Sequence, residues 1–506
     1  MDSFPWWTEK QKELAEKIEQ FADEIRQRID EAWWKQEIPW DVINMAAERG
    51  YFGAGVPEEY GGMGLGTTGV CIISEVIMPM PVLGRIFGSA ALGGLHQIIK
   101  YGDKEQKDRF LPRIAQGEIG GVSITEPVAG TDVAAIETTA RREGQDYIIT
   151  GKKRFTTGVG VAKRYMLYAK TSDDTEARRR RRHMTGFLVE KGMPGFTVEK
   201  VNELIGWDNV PNGYLNLDEV RVPLENRIGD EGDGWKVLMA GFNFERAMGA
   251  ACEAGNIWEM LKAVVPYTQR RIQFGRPTIE IPANRFKIAD LITKLKVARL
   301  NTYYAAYLLD IGQEGGLDAS VAKLFNSEMT MDASVEAIQI MGGDGVTKFY
   351  PLEFILRTSK ISQIAGGTDE AQKIAVCGLG LKELAPGLKM RRRVRHKELG
   401  VPIHTGTKPS GRSKIDEVSL LRVLSEDYRI NPGLHMSRED LKEEFDVSDE
   451  EMDEALRSLE KKGLVWLHMG KNGIELAKAS YEGLKKANPP EYYKWFPRWI
   501  NREDMF

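Results

Sequence analysis

Ile124-Thr125-Glu126-Pro127-Val128-Ala129-Gly130-Thr131-Asp132 stands where the chain changes character, and its surroundings decide the fold. Upstream, the spacing is helical. Thr8-Glu9-Lys10-Gln11 has the pattern of a capping box, and Leu14, Ile18, Phe21 and Ile25 follow on one face. Asp41 reads as the cap of a second helix that stops at Gly50, and further helices fill about 68–117. From Gly120 the apolar segments are short and flanked by turn formers: Tyr147–Thr150, Tyr165–Tyr168, Phe187–Val189 and Tyr214–Leu217. These predict strands of an antiparallel barrel or sandwich. From Gly234 the helical period returns near 234–270, 283–312 and 316–341. The order is helices, a β domain, then helices.

At 506 residues, the chain can hold two or more domains and a large core. A net charge of −4 supplies no global drive toward nucleic acid or anionic membrane. No apolar run approaches the roughly 20 residues that cross a bilayer, and the start lacks the regions of a signal peptide. A cytoplasmic protein is expected. Cys71, Cys252 and Cys377 match no metal or redox spacing and read as buried small residues, and six scattered histidines predict no metal site.

The tail has its own organisation. Arg391-Arg392-Arg393-Val394-Arg395-His396-Lys397, followed by Pro402, Gly406, Pro409 and Gly411, reads as a linker. Val418, Leu421 and Leu424 then mark one helix. Ser437 caps a second with Leu441 and Phe445, and Ser448 with Glu451 boxes a third with Met452, Leu456 and Leu459. Leu464–Met469 and Ile474–Ala477 read as a hairpin, completing a winged-helix pattern. Six acidic residues on the third helix (Asp449, Glu450, Glu451, Asp453, Glu454, Glu460) oppose Arg457, Lys461 and Lys462, the wrong sign for phosphates. Docking or support of an oligomer is expected, without nucleic acid. The aromatic tail Tyr492–Trp499 is expected to pack rather than face water.

Four motifs in register resemble the acyl-CoA dehydrogenases over about residues 8–385. They are Pro57–Gly64, Ile124–Asp132, Arg271-Ile272-Gln273-Phe274-Gly275, and Gln339-Ile340-Met341-Gly342-Gly343-Asp344-Gly345. The resemblance implies an α+β chain with an N-terminal helical domain (1–119), a middle β-barrel (120–232) and a C-terminal four-helix bundle (233–388). The linker (389–413) and the winged-helix-like module (414–506) follow. Removing hydrogen from the α and β carbons of a thioester needs a base for the proton, an acceptor for the hydride, and donors for the thioester oxygen. The family implies FAD as the acceptor.

The family usually carries its base in a Tyr-Glu-Gly-Thr run, but here Ile364-Ala365-Gly366-Gly367-Thr368-Asp369-Glu370 has glycine at that place. In isovaleryl and long-chain members a glutamate on an earlier helix is the base, and the other position holds a small residue. Glu245, in Phe242-Asn243-Phe244-Glu245-Arg246, shows the same exchange. Asp369 and Glu370 are rival carboxylates. By the same resemblance, Ile124, Thr125, Phe155 (where tryptophan is usual), Thr157, Arg271, Phe274, Gln339, Gly342, Gly343, Thr368 and Glu370 would contact FAD, some across a subunit interface, which implies a homo-oligomer, a tetramer. Thr131, Asn243, Arg246, Gly366 and Gly367 would meet the acyl-CoA. Gly366-Gly367 reads equally as room for a branched acyl group or as a helix cap. Arg178–Arg182 sits in a loop between strands and reads as a CoA-phosphate site or as a solvated charge run.

The expected activity is oxidation of an acyl-CoA to a trans-2-enoyl-CoA, with electrons passed to an electron-transfer flavoprotein. The alternatives are the enoyl-CoA reductase direction, an FAD oxidase or oxygenase of the same fold, and a non-catalytic CoA-binding scaffold.

Overall fold

The computed structural model describes residues 3–208, 210–388, 415–430, 433–470 and 473–487. It divides into two compact units, at Leu388 and Lys389.

The first unit opens with six helices: α1 (Glu9–Lys35), α2 (Trp40–Glu48), α3 (Gly66–Ile77), α4 (Leu83–Leu92), α5 (Leu95–Tyr101) and α6 (Lys104–Ala115). Thr8 and Gln11 form the expected capping box of α1, whose Leu14, Ile18, Phe21 and Ile25 are buried. Asp41 is not a cap. Pro39 precedes α2, and the Asp41 carboxylate instead pairs with Arg28 at 3.0 Å. Asp103 and Gln106 box α6, a cap the sequence analysis overlooked.

The β domain comprises β1 (Gly120–Ser123), β2 (Thr139–Glu143), β3 (Asp146–Thr157), β4 (Arg164–Lys170), the short helix α7 (Thr175–Arg179), β5 (Met184–Glu190), β6 (Phe196–Val201), β7 (Asn212–Pro223) and β8 (Arg227–Ile228). The strands form one sheet in the order β6-β7-β3-β2-β4-β5-β8, with β1 added on β4. Pairing is not antiparallel throughout, because β1 runs parallel to β4 with Gly120 opposite Arg164. The five arginines are not simply a loop. Arg178 and Arg179 end α7, Arg179 and Arg180 pair with Glu176, and Arg182 pairs with Asp233 at 3.1 Å.

The 37-residue α8 (Gly234–Arg270) leads into the hairpin β9–β10 (Ile272–Gln273, Arg276–Pro277). Then come α9 (Pro282–Asp310), α10 (Gly316–Met341), α11 (Leu352–Ser362) and α12 (Asp369–Leu384). Proline at the first position of α9 loses no hydrogen bond there. α10 packs on α8, α9 and α12, and α9 packs on α8. Glycines let α8 approach closely: a Cβ on Gly255 would lie 1.8 Å from the carbonyl oxygen of Glu75 on α3. Glu75, fully buried, accepts from Arg299 Nε at 2.6 Å and from the Tyr303 hydroxyl at 2.8 Å, tying α3 to α9. Cys71 and Cys252 are buried as expected, but Cys377 on α12 is exposed.

The second unit comprises α13 (Glu417–Ile430), β11 (Met436–Ser437), α14 (Arg438–Glu444), α15 (Asp449–Lys461), β12 (Val465–Gly470), β13 (Gly473–Ala479) and α16 (Tyr481–Ala487). Its sheet order, β11-β13-β12, adds a strand to the expected hairpin. Leu421, Leu424, Leu441, Phe445, Met452, Leu456 and Leu459 share its core, and Ser437 and Ser448 cap as expected. The basic run 391–397 and the aromatic tail 492–499 lie outside the described residues. No helix among the described residues is long and apolar enough to cross a membrane.

Breaking the Glu75 cluster should be expensive. Arg299→Met leaves a buried carboxylate uncompensated, and a loss of about 3–5 kcal/mol is expected, read as a lowered midpoint in urea unfolding.

Candidate active site

Glu245 lies at the start of the fourth turn of α8, and Gly366 faces it from the turn between α11 and α12. A Cβ added to Gly366 would come 3.3 Å from Glu245 Oε1. The space a longer residue at 366 would need is thus the space the 245 carboxyl uses. Gly366 and Gly367 have φ of +68° and +92°, a conformation that disfavours any side chain. Gln372 Nε2 pins the turn by donating to both glycine carbonyls at 3.1 Å.

Burial pushes the Glu245 carboxyl up to about 7, against the opposing pull of Arg246 and Lys323. A carboxyl so placed can accept a proton near neutral pH. The rival carboxylates are placed differently. Asp369 is buried in an ion pair with Lys323 Nζ at 2.7 Å and also accepts from Ser327 Oγ at 2.7 Å. Glu370 is exposed, and its own backbone amide and the Thr368 hydroxyl at the start of α12 hold it below the usual range. Thr368 caps that helix by accepting from Ala371 N.

Asn243 and Arg246 meet on a neighbouring face of α8. Arg246 Nη1 donates to Asn243 Oδ1 at 3.3 Å and to Ser320 Oγ at 3.2 Å, and its guanidinium lies 5.5 Å from the Phe242 ring centroid. Arg246 Nε is buried with no hydrogen-bond partner. Thr131 is exposed on the loop before Val133.

A second group gathers at one end of β3. Lys153, fully buried, donates to Glu126 Oε1 at 2.6 Å, to Tyr168 O at 2.7 Å and to Ile124 O at 3.2 Å. Glu126 also accepts from the amides of Glu137 and Thr138. This pair holds the Ile124–Asp132 segment against the sheet. Arg154 N donates to Thr125 O at 2.8 Å. Asn212 Nδ2 donates to Thr157 Oγ1 at 3.2 Å, which leaves the Thr157 O–H to donate elsewhere. Phe155 is exposed with φ +56°, under the Arg154 guanidinium at 4.3 Å. The sequence analysis missed Lys153 and Asn212. A lysine in alternating register with the inward-facing Tyr147 and Ile149 was the available signal.

A third group lies at the far end of α8. Arg271 and Phe274 are exposed, Phe274 at 95 %. Gln339, Gly342 and Gly343 are exposed beside them, since the Tyr267 hydroxyl donates to Asp344 Oδ2 at 2.5 Å. Side chains added at Gly275, Gly342 or Gly343 would meet nothing within 4 Å, so backbone is open to an incoming group there. From residue 245 to residue 271 the helix rise is about 39 Å. The structure therefore does not bring this group to Glu245 within one chain.

Three family profiles match the chain. They are the acyl-CoA dehydrogenase N-terminal domain over residues 8–118, the middle domain over 121–220, and the C-terminal domain over 232–377. The chain belongs to the acyl-CoA dehydrogenase family. An acyl-CoA dehydrogenase of Bacillus subtilis is 36% identical over 70% of this chain and 92% of its own length. An acryloyl-CoA reductase (NADH) of Anaerotignum propionicum is 35% identical over 73% and 94%. Among solved structures, butyryl-CoA dehydrogenase from Megasphaera elsdenii is 29% identical, with a TM-score of 0.70 over 75% of this chain and 100% of that one. The chain is thus an oxidoreductase of an FAD-dependent family. The residues present suit that cofactor: a threonine hydroxyl left to donate, an aromatic–guanidinium pair, and open glycine backbone beside an arginine.

Gly366→Ala tests the shared space. The added methyl is strained by the backbone and crowds the carboxyl, so a tenfold or greater loss of flavin reduction rate is expected, on the order of 1–2 kcal/mol. FAD content, read from absorbance, should be kept.

Proposed function

We propose that the chain oxidises an acyl-CoA to a trans-2-enoyl-CoA, with Glu245 as the base that takes the α proton. The observation that carries this is the meeting of Glu245 with Gly366: a carboxyl poised near neutrality occupies the space beside the glycine that stands where a family base would be. Bound FAD supplies the acceptor for the β hydride. Thr125 and Thr157, with Ile124 and Phe155, border the flavin ring, and the Thr157 hydroxyl donates toward it. Arg246 and Asn243 hold the CoA arm with Thr131, and Gly366-Gly367 leave room beside the α carbon. Arg271, Phe274, Gln339, Gly342, Gly343, Thr368 and Glu370 serve the nucleotide half of FAD.

The helix rise separating Arg271 from Glu245 supports a homo-oligomer, a tetramer in this proposal, in which one copy completes another's cofactor site. The exposed Phe274, Phe286, Val346 and Phe349 of the bundle region suit burial in such an assembly. We assign electron transfer to an electron-transfer flavoprotein, a cytoplasmic location, and a docking or assembly role for the winged-helix-like second unit. Its acidic α15 is engaged by Arg438 and Lys442 rather than presenting cations to a nucleic acid. The similarity to an acryloyl-CoA reductase keeps the reverse direction, reduction of an enoyl-CoA, as a second reading of the same site.

Two measurements test the proposal. Anaerobic bleaching of the flavin by straight, branched and cyclic acyl-CoAs should occur in the wild type and be lost in Glu245→Gln; equal bleaching by both would remove Glu245 from the mechanism. A base acts deprotonated, so kcat/KM should fall about tenfold per pH unit in acid and level off above about 7. A profile flat from pH 5 to 9 would contradict the assignment.

A further inference from the structure

The structure divides the run of five arginines. Arg179 and Arg180 pair with Glu176, and Arg182 pairs with Asp233 at 3.1 Å. Arg181 is placed differently. It is exposed, its φ of +58° is one that long side chains rarely adopt, and its guanidinium lies 4.5 Å from the ring centroid of Trp235 on α8. Beside Trp235, the Lys236 ammonium lies 5.1 Å from the ring centroid of Tyr101, and Lys100 approaches the same ring at 5.8 Å. Both lysines are exposed, so a ligand oxygen has room beside them. No carboxylate among the described residues forms an ion pair with Arg181, Lys100 or Lys236. Ring faces hold these cations in place without neutralising them.

The three come from separate parts of the chain: the end of α5, the turn before β5 and the first turn of α8. Tyr101 joins them. Its phenol is pushed up by burial first, and then by the charges of Glu314 and of Asp233, the residue just before α8. Asp233 is taken by Arg182, so it offsets the other cations little. Like charges gathered in this way repel one another until an anion comes between them. The positive end of the 37-residue α8 lies among them and adds to the attraction. None of these residues belongs to the four motifs that carry the family resemblance.

The patch stands at a telling distance from the proposed base. Trp235 and Lys236 precede Glu245 by a rise of about 14–15 Å along α8. Lys236 and Asn243, two turns apart, share a face of the helix. Asn243 Nδ2 donates to the backbone carbonyl of Glu314 at 2.9 Å, so the turn beside Tyr101 also touches the proposed arm site. In the other direction α8 enters the core, with Ala247, Met248, Ala250 and Ala251 buried. A long arm that leaves Glu245 along the helix therefore has its exit at the Trp235 end. From the sulfur of a pantetheine thioester to the phosphorus at the far end of the arm is roughly 13 bonds, or about 15 Å at the extension of a peptide chain. The arm and the rise match.

We propose that Arg181, Lys236 and Lys100 form a phosphate subsite at the far end of the thioester arm, and that the substrate class is a phosphopantetheine thioester whose terminal phosphate sets its affinity. This rests on the reading of Glu245 as the base and of Asn243 and Arg246 as arm residues. The phosphate has two sources, the nucleotide of CoA and the prosthetic arm of a carrier protein, and both place it at this distance. The test uses one short acyl group on four carriers: pantetheine, 4′-phosphopantetheine, CoA and an acyl carrier protein. Binding to the Glu245→Gln holoenzyme is measured by calorimetry, and flavin bleaching is followed in the wild type. The phosphopantetheine thioester should bind about tenfold tighter or more than the pantetheine thioester, and the gap should narrow as salt rises. Arg181→Gln combined with Lys236→Gln should bring the two to within about twofold, and Glu314→Gln, which removes an opposing charge, should widen the gap. Thermal unfolding and FAD content report that the variants fold. No gap, or a gap that the double variant leaves intact, overturns the subsite even if the wild type bleaches. A gap that the double variant abolishes, in an enzyme that never bleaches, upholds the subsite and overturns the base. Where the gap behaves as expected, tighter binding of CoA assigns the nucleotide as the source, and tighter binding of the carrier protein assigns the carrier.

Discussion

A helix of 37 residues buried along most of its length sets the terms for the rest of the first unit. α8 runs about 55 Å. It begins in the core shared by the N-terminal helices and the sheet, with Val237, Leu238 and Phe244, and continues into the bundle core with Ile257, Met260 and Val264. An element buried on several sides must either be apolar throughout or have its polar groups met by neighbours. Glycine and alanine serve the first need by letting α3, α5 and the 363–368 turn come close. Glu245 is one exception to the second, beside Arg246 Nε. It has Arg246 and Lys323 within electrostatic reach, but the Lys323 ammonium is committed to Asp369, and the carboxyl is left poorly compensated.

The two ion pairs around the site divide the work of shaping it. Lys153–Glu126 holds the Ile124–Asp132 segment to the sheet, and Lys323–Asp369 holds the start of α12, and with it the glycine turn, to α10. Both are buried and each is backed by additional hydrogen bonds, the condition under which desolvated charges are tolerated. Neither carboxylate faces an open cleft. Neutralised acids build the walls, and Glu245, the base of our proposal, has no such partner.

The helix–sheet–helix order and the long helices were legible because apolar spacing and turn formers are local signals. The family resemblance was legible because the motifs keep their order along the chain. Other features depend on contacts between residues far apart in sequence, and no local pattern carries those. Asp41 looks like a cap, yet Arg28, 13 residues upstream, takes its carboxylate. Cys377 looks like a small core residue, yet the face of α12 that bears it is exposed. Tyr168 reads as one more residue of an apolar strand. Its meeting with the Gln97 amide becomes visible only when β4 and α5 are brought together.

The burial that prepares Glu245 also works against folding. Its carboxyl binds a proton more tightly in the folded chain than in the unfolded one, because water solvates the ionised form far better than the interior of the bundle does. The contribution of this group to stability is therefore most favourable below the ordinary carboxyl range, and it is lost as pH rises toward about 7, where the folded group ionises. The pH range in which the proposed base would become usable is thus the range in which holding it folded becomes costly. A side chain whose only duty was structural would be expected to escape that conflict by pairing, as Asp369 and Glu126 do. That Glu245 does not pair, while a lysine one helix away is spent on Asp369, argues that its isolation is maintained for chemistry.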